Sequence, residues 1–423
     1  MMRRHLLFTR RFGPLFVTQF LGAFNDNVFK NALVVLIAYR LAGPGEAQML
    51  VTLAAGLFIL PYLLFSATAG QCADKYDRAR IARIVKIAEI ILMVIAAIGF
   101  AIGNAYFLLF VLFCMGVHST FFGPVKFALL PQHLREGELI AGNAYIEAGT
   151  FLAILLGTIL GGAGILHPQG LAIISGIVIG SAVLGYISSR FIPAAPGGQP
   201  GLKLNPNIAA QTWRVISHDK KNKTVFGAIL AISWFWLVGA TFLSQFPTYA
   251  KDVLLADETV VTLFLTVFSV GIALGSLLCN RLLRGAITMR LVPWGAWGIA
   301  VFGVDLYFAS GSIGLVAYEG LMGVSTFLAQ SGSVRILIDL LGIAISGGVF
   351  IVPLYAVMQH ASDVGHRART IATNNIMNAL FMVGASLATM GALVGGLSVA
   401  QVFLLVSLAT ALVALRYSTT RHA

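Results

Sequence analysis

Asn25, Asp26, Asn27, Lys30 and Asn31 fall in one short run, FNDNVFKN, inside a segment that is otherwise apolar. A carboxylate and an ammonium four residues apart can pair along one helix face; facing a cavity, they can instead take part in substrate or ion handling. Lys126 stands between Pro124 and Pro131, and Asn143, Glu147 and Thr150 recur at helical spacing. Lys126 can balance Glu147 or present a cation to an anionic group, and both readings stand at this stage. Corresponding segments of the second half carry SWFWLVGATFLSQFP at 233–247, with Gln245, followed by Tyr355, Asn374, Asn375 and Asn378. Charge on one side with aromatic and amide groups on the other suits an amphiphile, headgroup to the first half and hydrocarbon to the second. Lys86 with Glu89, and Arg335 with Asp339, are spaced for local pairs, whereas Asp305 has no evident partner.

The elements that position these groups are helices in a bilayer. Of 423 residues 58% are hydrophobic and 10% charged, with mean hydropathy +0.89, against about 25% charged in a soluble domain. Stretches long enough to cross a hydrocarbon core of about 30 Å fall near 13–40, 47–70, 81–103, 105–129, 139–166, 169–192, 224–249, 258–280, 288–310, 334–358, 367–395 and 398–416. At about 100° per residue, Gln19, Asp26 and Lys30 form one stripe on the first of these helices. Each ionised group at mid-membrane costs roughly 2.5–3.5 kcal/mol on insertion scales, so the stripe must face protein or a water-filled cavity.

The net charge of +12 has a topological origin. With the N-terminus inside, every Lys and Arg falls in a cytoplasmic segment except Arg40, Lys251 and Arg335 on the other side and Lys30, Lys86 and Lys126 within spans. This is the positive-inside pattern; it makes anionic membrane lipids the natural partner and requires no nucleic acid. Both termini are then cytoplasmic. The first span is too long and polar for a cleaved signal peptide, so the N-terminus is expected to be retained. Cys72, Cys114 and Cys279 occur singly and read as packing residues, with no metal site indicated.

The longest polar stretch, 193–223, reads as a cytoplasmic linker between an N-terminal six-helix bundle, 1–192, and a C-terminal one, 224–423. An apolar Gly/Ser-rich segment near 312–330, containing Glu319, reads as an interfacial or re-entrant insertion. Fragments recur between the halves: FFGPVKFALLPQH with GNAYIEAGT against SGGVFIVPLYAVMQH with TNNIMNALF. Two similar halves imply a transporter with its site near mid-membrane between them. No H-x4-D acyltransferase pattern, P-loop or G-x-S-x-G elbow occurs, so the chain is not expected to be an enzyme. The expected fold is all-α, twelve transmembrane helices in two pseudo-symmetric bundles.

The loop GQCADKYDRAR resembles the G-x3-D-[RK]-x-x-[RK]-x-[RK] motif between spans two and three of the major facilitator superfamily, with Gly70, Asp74, Lys75, Arg78 and Arg80 on the matching positions and Asp77 where many members have glycine. The glycine permits close helix contact, the aspartate can sit at a helix end, and the basic groups can latch the cytoplasmic side. A decayed counterpart, Gly275-x3-Cys279-Asn280-Arg281, follows in the second half. QFLGAFNDNVFKNAL, GPVKFALLPQHL, GNAYIEAGTFLAILLGT and GGVFIVPLYAVMQ together resemble the lysophospholipid transporters of that superfamily, including the transporter portions of proteins fused to acyltransferase and acyl-carrier-protein synthetase domains. The resemblance implies movement of lysophosphatidylethanolamine and its relatives across the bacterial inner membrane to the cytoplasmic leaflet. It implies reacylation there by a functional partner enzyme, and substrate contacts at Asn25, Asp26, Asn27, Lys126, Asn143 and Glu147. No cofactor is expected; coupling to protons or sodium is left open. The alternative reading is a major facilitator exporter of drugs or small metabolites, and a membrane scaffold or sensor stands as a third.

Overall fold

A computed structural model describes residues 5–312 and 320–419. Its helices are α1 (Gly13–Leu36), α2 (Pro44–Lys75), α3 (Arg78–Ile102), α4 (Ala105–His133), α5 (Leu139–Ile165), α6 (Gly170–Ser189), α7 (Ile208–Asp219), α8 (Lys223–Thr248), α9 (Glu258–Leu283), α10 (Val292–Ser312), α11 (Val324–Ala329), α12 (Ser333–Ala361), α13 (Arg367–Val394) and α14 (Val399–Thr419). All but α7 and α11 are long and apolar enough to cross a membrane, giving the twelve expected spans. The chain is therefore a multi-pass membrane protein.

Local chemistry sets the helix ends. Side-chain oxygens of Asp77, Asn104, Asn207, Asn222 and Asp257 accept from backbone N–H groups in the first turns of α3, α4, α7, α8 and α9, satisfying donors that have no partner within the helix. The first helix of each half ends in a π-helical turn, Ile37–Leu41 after α1 and Tyr249–Val253 after α8.

The repeat legible in the sequence reappears in the packing. Helices α1–α6 pair as α1–α5, α2–α4, α3–α4 and α3–α6, and the second half repeats these as α8–α13, α9–α12, α10–α12 and α10–α14. The halves meet along α2–α13 and, in the equivalent relation, α9–α5. Within the first half, α1 and α5 touch backbone to backbone: a Cβ on Gly157 would lie 2.6 Å from the Phe24 carbonyl oxygen. Only glycine fits there.

The two halves are locked at the face that carries the linker. A Cβ on Gly70 would lie 2.8 Å from Ala372 Cβ and 2.9 Å from Arg369 Cα. On the far halves of the same two helices, Met49, Leu53, Leu387, Met390 and Val394 are exposed, and Gly56, Gly384 and Gly391 have open space where a Cβ would be. The linker is stitched to the first half: Gln71 exchanges hydrogen bonds with the Asn205 backbone, and Gln199 N–H donates to the Asp74 carbonyl. Its amphipathic stretch forms α7, which lies on both α2 and α13.

Of the 312–330 insertion, residues 313–319, Glu319 among them, lie outside the described residues. The rest forms a rim on the far face. Met322 pairs with the backbone of Leu255 and Asp257 before α9, and α11 packs on α9 and α12.

Candidate functional site

Helical rise of about 1.5 Å per residue places two layers of polar groups on the inner helices. Lys126 on α4, Glu147 on α5, and Tyr355 and Asn374 on α12 and α13 sit roughly 9–12 Å in from the linker face. Asp26 on α1, Ser119 on α4 and Trp236 on α8 lie about 20 Å in.

The layer nearer the linker face, called the inner layer, spans the two halves, and the Trp236 side chain reaches down to it from the deeper one. Phe127 stacks on Tyr355 with ring centroids 4.5 Å apart and planes 8° from parallel, and Lys126 Nζ lies 4.8 Å from the Phe127 centroid, a cation–π contact. Trp236 Nε1 donates to Tyr355 Oη at 3.3 Å, and Phe151 stacks on Trp236. Glu147 is 2% exposed and its Oε2 has no hydrogen-bond partner; Lys126 is near but forms no ion pair with it. Asn374 is fully buried beside Tyr355, neither amide atom making a well-formed hydrogen bond. Asn378 Oδ1 accepts from Ser233 Oγ at 2.8 Å. Buried polar groups without partners are rare in folded proteins, and here a carboxylate oxygen and an amide share one layer.

Asp26 turns toward α4. Its Oδ2 accepts from Ser119 Oγ at 2.6 Å, while Oδ1 is buried and unpartnered. The expected pair with Lys30 is not formed; Lys30 Nζ instead sits over the Phe58 ring, 5.6 Å from its centroid. Tyr62 joins the group through Ser119. Gln245, further out on α8, has a buried and unpartnered Oε1.

The neighbouring polar residues of α1 face other ways. Asn25, 0% exposed, donates to Glu89 Oε1 at 2.8 Å inside the first half. Glu89 also receives Lys86 Nζ at 2.5 Å, as the spacing of those two suggested, and His118 Nε2 lies 3.3 Å away. Asn27 donates to the Ala23 carbonyl, and its Cβ packs against Gly157 of α5. Asn31 reaches Thr158.

Nearer the linker face, Asn143 and Gln359 form a reciprocal amide pair between the halves, with distances of 2.9 and 3.0 Å. The loop motif completes the closure. Asp74, 0% exposed, accepts from the backbone N–H groups of Ala368 and Arg369 at 2.9 and 3.2 Å and from Arg369 Nε at 2.9 Å. It thus caps α13 from the other half of the molecule. Arg78 bridges Asp74, the Ala73 carbonyl and Gln132. Lys75 lies over Tyr76, while the Arg80 backbone N–H is held by Asp77. At the equivalent end of α9, Cys279 is buried in place of the carboxylate, and Gly285, at φ +86°, abuts the Gly137 backbone. On the far face Arg335 forms its ion pair with Asp305 at 2.5 Å rather than with Asp339.

His118, Ser119 and Tyr62 were not singled out from the sequence. For His118 and Ser119 the signal is VHST, a polar interruption midway along α4, whereas Tyr62 on α2 has no such mark.

Comparison with known proteins bears on what this arrangement serves. The sequence profile of the Major Facilitator Superfamily matches residues 15–385. A lysophospholipid transporter, LplT, of Serratia proteamaculans is 25% identical over 360 residues, covering 84% of this chain and 81% of the relative. Among solved structures, the outward-facing bacterial homologue of the iron transporter ferroportin superposes with a TM-score of 0.65 at 17% identity, covering 96% of this chain and 99% of that one. The human organic anion transporter MFSD10 superposes with a TM-score of 0.72 at 12% identity, covering 96% and 98%. At these identities the solved structures speak to the fold alone.

Proposed function

Because the chain belongs to the Major Facilitator Superfamily, whose members are secondary transporters and not enzymes, we propose that it carries lysophospholipids, with lysophosphatidylethanolamine as the reference substrate. The observation that carries this reading is the asymmetry of the inner layer. Lys126 and Glu147 come from the first half, and the facing wall of Tyr355, Trp236 and Asn374 comes from the second. A cation and a carboxylate that are close but unpaired match the phosphate and amine of a zwitterionic headgroup. The aromatic wall accepts the acyl chain. The similarity to LplT of Serratia proteamaculans over most of both chains supports the same substrate class.

In this reading the linker face is cytoplasmic, the membrane is the bacterial inner membrane, and the described state is open toward the outer leaflet. A single-chain lipid reaches the layer laterally; Lys126, with Lys30 above it, receives the phosphate, and Glu147 or Asp26 the amine. The two six-helix bundles then rock about the site. The Asp74 cap on α13, the Asn143–Gln359 pair and the Gly70 contact release, opening the cytoplasmic side, where a partner acyltransferase or acyl-carrier-protein synthetase consumes the product.

The test is uptake of labelled lysophosphatidylethanolamine by proteoliposomes holding the purified chain. Transport is expected from the parent and a loss of tenfold or more in both Glu147→Gln and Lys126→Ala, with the folded protein confirmed by size exclusion. A folded parent that moves no lysolipid, or two folded variants that retain parental rates, would overturn the assignment and favour export of small molecules.

A further inference from the structure

One cluster on the linker face has no part in the transport layer. His218 and Asp219 end α7, and His366 immediately precedes α13. Their three ligand-capable atoms all lie within 4.8 Å of one another. His366 Nε2 and Asp219 Oδ1 are 3.8 Å apart, and the two imidazole centroids are separated by 3.8 Å. His366 is 9% exposed, Asp219 3%, and His366 Nε2 is buried with no hydrogen-bond partner. A fourth oxygen is close: Asp363 Oδ2 lies 3.8 Å from His218 Nε2 on an exposed side chain.

We infer that His218, Asp219 and His366 form a binding site for a divalent first-row transition metal ion, with Asp363 or water as fourth ligand, which staples the linker helix to the second half of the transporter.

The donor set is two imidazoles and one or two carboxylates, suited to Zn²⁺, Co²⁺ or Ni²⁺ and too nitrogen-rich for Mg²⁺ or Ca²⁺. Ligand atoms about 2.0–2.2 Å from a tetrahedral zinc ion are roughly 3.3 Å apart, so binding must draw the described atoms in from as much as 4.8 Å and splay the two imidazoles out of their present face-to-face contact. Asp219 is also oriented as metal carboxylates are: Oδ1 accepts from Thr370 Oγ1 at 2.9 Å and Oδ2 from Thr373 Oγ1 at 2.5 Å. The nearby Arg369 does not block the site, because its guanidinium is taken up by Asp74, Gln199 and the Gly365 carbonyl.

The consequence follows from where α7 lies. Val215 and Ile216 of α7 pack with Leu63 and Ala67 of α2 and Ile376 of α13, so a metal joining α7 to the start of α13 ties a strap across both halves. It favours the state closed at the linker face.

The experiment uses the full untagged chain in detergent, stripped with a chelator and titrated with Zn²⁺ against a chromophoric competitor, with Co²⁺ absorption as a second probe. We expect one tightly bound Zn²⁺ per chain, a tetrahedral Co²⁺ spectrum, and a Zn²⁺-dependent rise in melting temperature. Affinity should fall more than tenfold in His366→Ala and in His218→Gln; His218 is half exposed, so the second variant leaves the packing intact if the first fails to fold. Thr373→Val should weaken binding by about tenfold. No stoichiometric Zn²⁺ on the folded parent, or binding that survives His218→Gln unchanged, would overturn the site; lysolipid uptake is not needed for either result.

Discussion

Glu89 and Glu147 are both buried carboxylates in the first half, and their surroundings differ in one respect. Both oxygens of Glu89 are partnered locally, Oε1 by Asn25 from α1 and Oε2 by Lys86 on its own helix, with His118 of α4 close by, although Asn25 Oδ1 and His118 Nε2 are themselves buried and unpartnered. Around Glu147 one oxygen is left without a partner, the cation nearby faces the same space without touching it, and the opposite wall belongs to the other half. A buried charge is tolerable only when paired and hydrogen-bonded. The satisfied carboxylate therefore reads as part of the scaffold, and the unsatisfied one as a group that expects a visitor. Composition and spacing do not distinguish these two glutamates; the count of their partners does.

That contrast is sharpened by replacing each in turn and reading stability separately from transport. Glu89→Gln strands Lys86 as an uncompensated cation in the bundle interior and should cost about 3–5 kcal/mol, the largest effect, seen as a steep fall in detergent melting temperature or failure to express. Asn143→Ala leaves the Gln359 amide unpaired between the halves and should cost about 1–3 kcal/mol. Loss of both amides in Asn143→Leu/Gln359→Leu should cost less than the sum of the single changes, measured as a double-mutant cycle. Glu147→Gln should change melting temperature least, by an amount equivalent to less than about 1 kcal/mol, because no ion pair is broken. An equal loss of stability in Glu147→Gln and Glu89→Gln would erase the distinction.

How much of this was legible beforehand depends on whether a feature is local in the chain. Spans follow from runs of apolar residues, and all twelve appear where hydropathy put them. Lys86–Glu89 was legible because three residues bring two side chains onto one helix face. By the same rule Arg335 should meet Asp339, yet it takes Asp305 on α10, since helix spacing says nothing about what a neighbouring helix offers. Asp26 and Lys30 show the same limit: Ser119 and Phe58, from α4 and α2, hold them instead. Asn25, Asp26 and Asn27 are adjacent in sequence but about 100° apart around α1. One run of polarity thus serves three surroundings: the Glu89 network, the Ser119 contact and the α1–α5 seam. The repeat between halves was legible from MQH and PQH; the Asn143–Gln359 pair was not, because it joins positions 216 residues apart.

The Asp74 cap has a further consequence for energetics. The first turn of α13 depends for two of its amide protons on a residue nearly 300 positions away, in the other half of the molecule. A helix whose end is finished from within keeps that end in any arrangement; this one keeps it only while the halves are together. Parting them exposes two amides, a carboxylate and a guanidinium at once, and water must take each vacated bond. In the transport cycle proposed above, the linker face would work as a hydration switch, its opening set by how readily water wets the seam.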